Sequence, residues 1–156
     1  VGESGYVYGY GKSVWAMIDL DTRHPADILA VRGGLITEYI ETEYPCPIEK
    51  SSRVKLSVGA TPIRSIDTYY NDVDINGHIN SVKYIEHVLD LWDIAWYKQH
   101  CIKRFEIAYV AESHQGDRLH FYREGRDSDT DFDVRITKSN RDSAEVEVCR
   151  CRVQFV

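Results

Sequence analysis

The feature that most constrains the fold is a single amphipathic run between Asn80 and His100. Its apolar residues recur at intervals of three and four, which is the spacing of one face of an α-helix. They are Val82, Ile85, Val88, Leu89, Trp92, Ala95 and Trp96. Either Asn80 or Ser81 is suited to cap the first turn. The pattern predicts one long helix of about five turns, which ends near His100.

Strand-like segments, rich in β-branched and aromatic residues, lie on both sides of this helix. One precedes the helix and four follow it. In chain order they are residues 61–70, 103–112, 118–124, 131–136 and 144–156. In the fourth segment, apolar residues alternate with Asp131, Asp133 and Arg135, so one face of that strand should meet water. In the last, the apolar parity changes next to Val148, which predicts either a β-bulge or a strand covered on both faces.

This order of one strand, a long helix and four antiparallel strands predicts an α+β fold. A sheet wrapped around one central helix would bury Trp92 and Trp96. Residues 6–18 also have strand-like composition and end at a turn over residues 19–25. The following stretch gives mixed signals, with a short helix near residues 35–40, and is interpreted as a linker.

The composition is that of a globular protein and excludes several classes of partner. A chain of 156 residues that is 43% hydrophobic can build one good core. The net charge of −6 argues against sequence-independent binding to nucleic acid, which needs clustered Lys and Arg. No run approaches the roughly 20 apolar residues that cross a bilayer. The amino terminus, with Gly2 and Glu3, shows no secretory signal.

The cysteines do not form the pattern of a disulfide framework. They are Cys46, Cys101, Cys149 and Cys151. Because Cys149 and Cys151 are two apart in a strand-like segment, we expect them to pack as small apolar groups, not as a metal pair. His100 and His114 likewise lack the spacing of metal ligands. We therefore expect no metal, no cofactor and a reduced, cytoplasmic protein.

Three polar residues, Asp74, Asn76 and His78, precede the helix at intervals of two. In extended backbone they would present a carboxylate, an amide and an imidazole on one side. The helix N-terminus beside them favours developing negative charge, so a carbonyl oxygen there would be polarised as in an oxyanion hole. A capped turn with a hydrogen-bonded surface histidine explains the same residues equally simply. Spacing alone leaves both interpretations open.

Two longer stretches carry a family resemblance. The run NDVDINGHINSVKYI, from Asn71 to Ile85, closely resembles the signature of plant and bacterial acyl-acyl-carrier-protein (acyl-ACP) thioesterases. The stretch FEIAYVAES, from Phe105 to Ser113, is similar to that family's strand after the long helix, which ends in a catalytic Glu. The resemblance implies a hot-dog fold. It carries over as catalytic residues Asp74, Asn76, His78 and Glu112.

A third stretch, GKSVWAMID from Gly11 to Asp19, followed by Thr22 and Arg23, resembles the last strand of the family's first hot-dog half. The resemblance implies that residues 1–30 are the terminal strand or strands of a truncated first half. Residues 31–57 would then be a linker, and residues 58–156 a hot-dog thioesterase domain. The rest of the first half is missing from these residues, so we expect either a fragment or self-association as a homodimer.

The resemblance also implies a reaction. It is hydrolysis of the bond between a fatty acyl group and the phosphopantetheine sulfur of acyl carrier protein, as in fatty acid biosynthesis. Glu112 would activate water or attack the carbonyl, while Asn76 and His78 orient the reacting groups. Asp74 would hold the side chains of Asn76 and His78. Ser113 stands where plant members often have Cys, so a papain-like mechanism is not expected. An acyl-CoA thioesterase and a non-catalytic acyl-binding half-domain remain alternatives.

Overall fold

The computed structural model describes residues 4–22, 24–57, 59–140 and 144–156. The chain divides into two compact units, Val1–Lys50 and Ser51–Val156. The predicted domain start at Val58, the amino-terminal Gly2 and Glu3, and Arg23 lie outside the described residues. Within the described ranges, no helix combines the length and the apolar character needed to cross a lipid bilayer.

The unit Ser51–Val156 is built on one five-stranded antiparallel sheet. Its strands are β1 (Arg64–Asp67), β2 (Ile102–Tyr109), β3 (Arg118–Gly125), β4 (Asp131–Ser139) and β5 (Val146–Phe155), in the order β1-β3-β4-β5-β2. Two helices, α1 (Ser81–Leu89) and α2 (Ile94–Tyr97), connect β1 to β2. The predicted α+β layout is confirmed, and a strand lies within or close to each predicted segment, although β1 has only four residues.

The core lies between α1 and one face of the sheet, here called the inner face. Val88 of α1 is fully buried, and Tyr84 retains only 3% exposure. Trp92 is buried as expected, whereas Trp96 is only half-buried and packs against the core from its edge. Cys149 and Cys151 are free, buried thiols in the same core, as predicted. Burial raises the pKa of Cys151 to about 12, and it also raises the pKa of Cys149.

The prediction of a single long helix is wrong, because the chain turns between Leu89 and Ile94 and continues as a second helix. The Asp93 side chain accepts a hydrogen bond from Trp96 N at 2.8 Å and so starts a second helix as its N-cap. Arginine side chains from β1 and β3 donate hydrogen bonds to the carbonyl groups that the turn leaves without a helical partner. Arg64 Nη1 donates to Asp90 O at 3.2 Å, and Arg123 Nη1 donates to Leu91 O at 2.5 Å. The apolar spacing continues across the turn because both helices face the same core.

The predicted bulge in the last strand is present. In the β4–β5 ladder, Ile136 pairs with Cys149 and Thr137 pairs with Glu147, so Val148 has no opposite residue. The extra residue allows two successive side chains, Val148 and Cys149, to be fully buried on the core side. The apolar parity on either side of the bulge therefore differs, as the sequence indicates.

The opposite face of the sheet, here called the outer face, is not wholly wet. Asp133 is only 3% exposed, which corrects the expectation for this face of β4. Residues 51–57, predicted as part of a linker, belong to the second unit and cross the outer face as a strap. The strap holds three carboxylates through its backbone. Ser52 N donates to Glu106 at 2.7 Å, Lys55 N to Asp133 at 3.0 Å, and Ser57 N to Glu124 at 2.9 Å.

The geometry of the strap matches the sheet beneath it. Glu106, Asp133 and Glu124 lie in one row across β2, β5, β4 and β3, together with Arg152. Three strand spacings cover about 14 Å, and five extended residues cover about 16 Å. An extended strap can therefore place one backbone donor over each carboxylate. This contact explains why the Asp133 carboxylate is buried without leaving its charge unsatisfied, since Arg126 also donates to it at 2.9 Å.

The unit Val1–Lys50 has little regular structure. Residues 6–18 do not form the expected strand: within the described ranges their ladder contact is an isolated bridge between Ile18 and Pro25. Strand-like residues need a partner for their backbone groups, and none of the described residues provides a ladder for this segment. In place of the short helix near residues 35–40, 3-10 turns cover Ile28–Tyr39, with non-helical backbone at Val31–Gly34.

Candidate active site

The loop before α1 is a tight turn, not the extended backbone that the two-residue spacing suggested. Asp74 N donates to His78 O at 2.8 Å, and Gly77 N donates to Asp74 O at 3.1 Å. Gly77 has φ +83°, a left-handed conformation that favours glycine. Asn80 then caps α1 by accepting from Val82 N at 2.9 Å. The loop therefore closes on itself directly in front of the helix.

Asp74 organises this loop through its backbone. Its Oδ1 atom accepts from Asn76 N at 2.8 Å and from His78 N at 3.2 Å. Desolvation opposes ionisation of the carboxyl group, but the hydrogen bonds from Asn76 and His78 outweigh it and lower its pKa. Asp74 thus fixes the main chain of the two following site residues. Asn76 lies at the exposed tip of the turn.

His78 and Glu112 lie next to each other. His78 Nε2 is 3.4 Å from Glu112 Oε2, with 31% and 49% of the respective side chains exposed. Both side chains are therefore reachable from solvent while in contact. The loop of His78 is tied to the loop of Glu112 by the hydrogen bond from Ile79 N to Ser113 O at 2.8 Å. An imidazole and a carboxylate at this separation can share a proton or bind one water molecule between them.

The backbone of Glu112 is anchored at the end of the sheet. Val110 N donates to Val148 O at 2.8 Å, so the bulge in β5 supports the chain as it leaves β2. Lys138 Nζ donates to Glu112 O at 2.7 Å and also lies 3.2 Å from Asp117 Oδ2. The ammonium group of Lys138 therefore links the segment after β2 to the turn before β3.

Several neighbours of the site carried no local signal in the sequence. The His114 ring packs edge-on against the His78 ring with centroids 5.0 Å apart. Thr68 Oγ1 donates a hydrogen bond to His114 O at 3.0 Å and accepts one from Gly116 N at 3.0 Å. Thr68 thereby holds the turn that carries His114. Lys138 and Thr68 are far from this turn in the sequence, so only the folded sheet brings them to it. In the sequence, only the turn itself was indicated, by the pair Gly116 and Asp117 between two strand-like segments.

Ser113 follows Glu112 but does not share its exposure. Its side chain is fully buried, beside the phenol of Tyr84 in α1. Burial raises the pKa of Tyr84 to about 12. A hydroxyl group enclosed in this way cannot meet a substrate, so the exposed reactive groups here are those of His78 and Glu112. In the described part of the chain, no cluster of three or more His, Cys, Asp or Glu side chains is arranged to hold a metal ion.

Comparison with known proteins places this geometry in a family. The family described as "Acyl-ACP thioesterase C-terminal domain" matches residues 57–155. The palmitoyl-acyl carrier protein thioesterase of Gossypium hirsutum is 26% identical over 141 residues, which are 88% of this chain and 34% of that protein.

Solved structures give the same result. An acyl-ACP thioesterase from Bacteroides thetaiotaomicron is 45% identical, with a TM-score of 0.77 over 89% of this chain and 53% of that one. The 12:0-ACP thioesterase from Umbellularia californica, 21% identical, has a TM-score of 0.68 over 89% of this chain and 52% of that one. The hexameric hot-dog thioesterase Cj0915 of Campylobacter jejuni is 17% identical, with a TM-score of 0.54 over 62% of this chain and 81% of that one.

The expected hot-dog fold is thereby confirmed. The chain spans about half the length of the two acyl-ACP thioesterase structures and about a third of the cotton protein. Because the family match covers well over half of the residues, the chain belongs to the acyl-ACP thioesterase family, and residues 57–155 are its C-terminal domain.

Proposed function

We propose that this chain carries the catalytic residues of a thioesterase that hydrolyses fatty acyl-ACP to free fatty acid and acyl carrier protein. The observation that carries the proposal is the contact of 3.4 Å between His78 Nε2 and Glu112 Oε2 beside the start of α1. In a member of this family, an exposed carboxylate paired with an imidazole is suited to hydrolysis of a thioester.

Each site residue has a distinct role in the proposed reaction. Glu112 either removes a proton from the attacking water or attacks the thioester carbonyl itself. His78 positions the reacting groups and passes a proton to the departing thiolate, so that the phosphopantetheine leaves as a thiol. Asn76 orients the nucleophile or the carbonyl oxygen from the tip of the loop. Asp74 keeps the loop closed through the amides of Asn76 and His78.

The biological setting follows from the same proposal. Relatives named for palmitoyl-ACP and 12:0-ACP support an acyl carrier protein as partner. A role in fatty acid biosynthesis, in the cytoplasm, belongs to the same proposal. We also propose that residues 1–30 belong to a first hot-dog half and residues 58–156 to the thioesterase domain. Residues 31–57 would be the linker between them, and its last part, residues 51–57, is the strap. A homodimer would be an alternative way to complete the acyl-binding site.

The roles of Glu112 and His78 can be tested on the purified full-length protein. Glu112→Gln and His78→Ala should each lower kcat for a fatty acyl-ACP by about a hundredfold or more, because each removes a group that transfers a proton. Glu86→Gln is the matched control for Glu112→Gln, since Glu86 is exposed on α1 and pairs with Lys83. His24→Ala, at an exposed histidine in the other unit, is the control for His78→Ala.

The outcome separates the candidate functions. Wild-type rates in both Glu112→Gln and His78→Ala would reject the assigned site. The same acyl group should be offered on acyl carrier protein and on coenzyme A, and faster turnover of the coenzyme A ester would identify an acyl-CoA thioesterase. Tight acyl binding without product release by the wild-type protein would identify a non-catalytic binding domain.

A further inference from the structure

A cavity on the outer face of the sheet concentrates positive charge in an acidic protein. It lies between the strap and strands β4 and β5 and has a volume of about 350 Å³. Its charged lining residues are Arg53, Lys55, Arg135, Arg150 and Glu147. Four cations against one carboxylate give a formal charge of +3, whereas the whole chain carries −6. We call this cavity the arginine pocket.

Two of these arginines are direct cross-strand neighbours. Arg135 of β4 is paired in register with Arg150 of β5, an arrangement in which like charges repel and weaken a sheet. Arg150 is compensated by Glu147, with Nε 2.5 Å from Oε1. Across the described ranges, Arg135 has no carboxylate within ion-pair distance, and its guanidinium group lies over the Tyr122 ring at 4.6 Å.

The Arg135 side chain is also short of hydrogen bonds. Its Nε atom is buried and has no hydrogen-bond partner among the described residues. A buried donor without an acceptor costs free energy. The Glu145 carboxylate attracts Arg135 from beyond ion-pair distance, while the paired Arg150 repels it, so Arg135 lacks both an acceptor for Nε and a directly bound anion. An anion in the arginine pocket would relieve both, since guanidinium groups pair with phosphate and carboxylate oxygens through parallel hydrogen bonds.

The strap completes the arginine pocket from above. Its backbone is tied to the row of carboxylates, with Lys55 N bonded to Asp133 at 3.0 Å. The Arg53 and Lys55 side chains are exposed and line the cavity. The cavity is at the lower end of the range for small-molecule sites, about 300–1,000 Å³. A small anion therefore fits its size better than a segment of a macromolecule.

We propose that the arginine pocket is a binding site for a small phosphate compound. A phosphate dianion matches the excess of positive charge better than a single carboxylate, and it provides enough oxygen acceptors for Arg135 and Lys55 together. The site is on the opposite face of the sheet from the core. A phosphate site here therefore goes beyond the proposed thioesterase reaction and does not rest on it.

The proposal can be tested by titrating the full 156-residue chain at constant low ionic strength. The probes are inorganic phosphate, glycerol 3-phosphate and acetate, followed by backbone amide chemical shifts. Both phosphates should shift amides of residues 53–56, 135, 147 and 150, and acetate should bind at least about tenfold more weakly. Tighter binding of glycerol 3-phosphate would identify an organic ester as the ligand, and equal binding would identify the free phosphate group.

Three variants make the test specific. Arg135→Gln and Lys55→Gln should each weaken phosphate binding by about tenfold, the loss expected for one charge-assisted hydrogen bond. Lys55 is exposed on the strap, so its substitution leaves the core intact if Arg135→Gln fails to fold. Arg118→Gln is the matched control, because Arg118 pairs with Asp67 outside the pocket. Equal shifts with acetate, shifts spread over other basic residues, or unchanged binding by Lys55→Gln would overturn the proposal.

Discussion

Truncation of Val148 to alanine tests the β-bulge that places this residue in the core. Val148 is fully buried and belongs to the main hydrophobic cluster. Removing its two methyl groups loses about 1.6 kcal/mol of transfer free energy at about 0.8 kcal/mol per carbon. The remaining cavity adds a further cost, so the free energy of unfolding should fall by about 2–3 kcal/mol. For a unit of this size the midpoint temperature should fall by about 8–12 °C.

Val146 provides the matched control within the same strand. It is 45% exposed, so Val146→Ala should change the free energy of unfolding by less than about 0.5 kcal/mol. Without the bulge, simple alternation back from the buried Cys149 would put both Val148 and Val146 on the outer face. The two substitutions would then have similar, small effects.

Urea denaturation followed by tryptophan fluorescence measures the difference. Trp15 is 87% exposed in the other unit, so a Trp15→Phe background leaves Trp92 and Trp96 as reporters of the core. A loss below about 0.5 kcal/mol for Val148→Ala, or an equal loss for Val146→Ala, would refute the bulged register.

Two further predictions concern the helices. Asp93→Ala removes the N-cap of α2, in which the Asp93 carboxylate accepts a hydrogen bond from Trp96 N at 2.8 Å. The free energy of unfolding in the same urea assay should fall by about 1 kcal/mol. An unchanged free energy would show that this cap does not hold the turn. Burial lowers the pKa of His87. The carboxylates of Asp72 and Asp90 oppose this shift, and the positive charges of Arg64 and Lys83 add to it. The unfolded state therefore binds more protons as pH falls below about 6.5, and stability is lost from there down through the lower folded pKa. His87→Gln should lose less stability than the wild type between about pH 7.5 and about pH 5, and an equal loss in urea titrations at the two pH values would contradict this.

Side-chain patterns predicted those parts of the fold that side chains determine. The apolar spacing around Val88 identified the face of α1, and the change of parity at Val148 identified the bulge, because in both cases burial repeats with the backbone period. The turn after Leu89 was missed because apolar spacing reports only which face is buried and not whether the helix is continuous. The apolar spacing continues through it, while the break depends on Asp93 competing for a backbone N–H group.

The strap and the neighbours of the candidate site depend on contacts that no local pattern records. The strap is bound mainly through amides at Ser52, Lys55 and Ser57, and every residue except proline has such an amide. The proximity of His78 and Glu112 was expected from family resemblance, since spacing alone left His78 open to a purely structural explanation. The Lys138 contact with Glu112 O requires the finished sheet.

The way the strap is held has a consequence for how the protein can diverge. Because its main chain provides the contacts, evolution can exchange Arg53 and Lys55 without detaching the segment, provided that no proline enters at positions 52, 55 or 57. Glu106, Asp133 and Glu124 lack this freedom, since each accepts one of those amides. Homologues should therefore keep the acidic row while the two basic positions drift, so that ligand preference on this surface can change independently of the architecture.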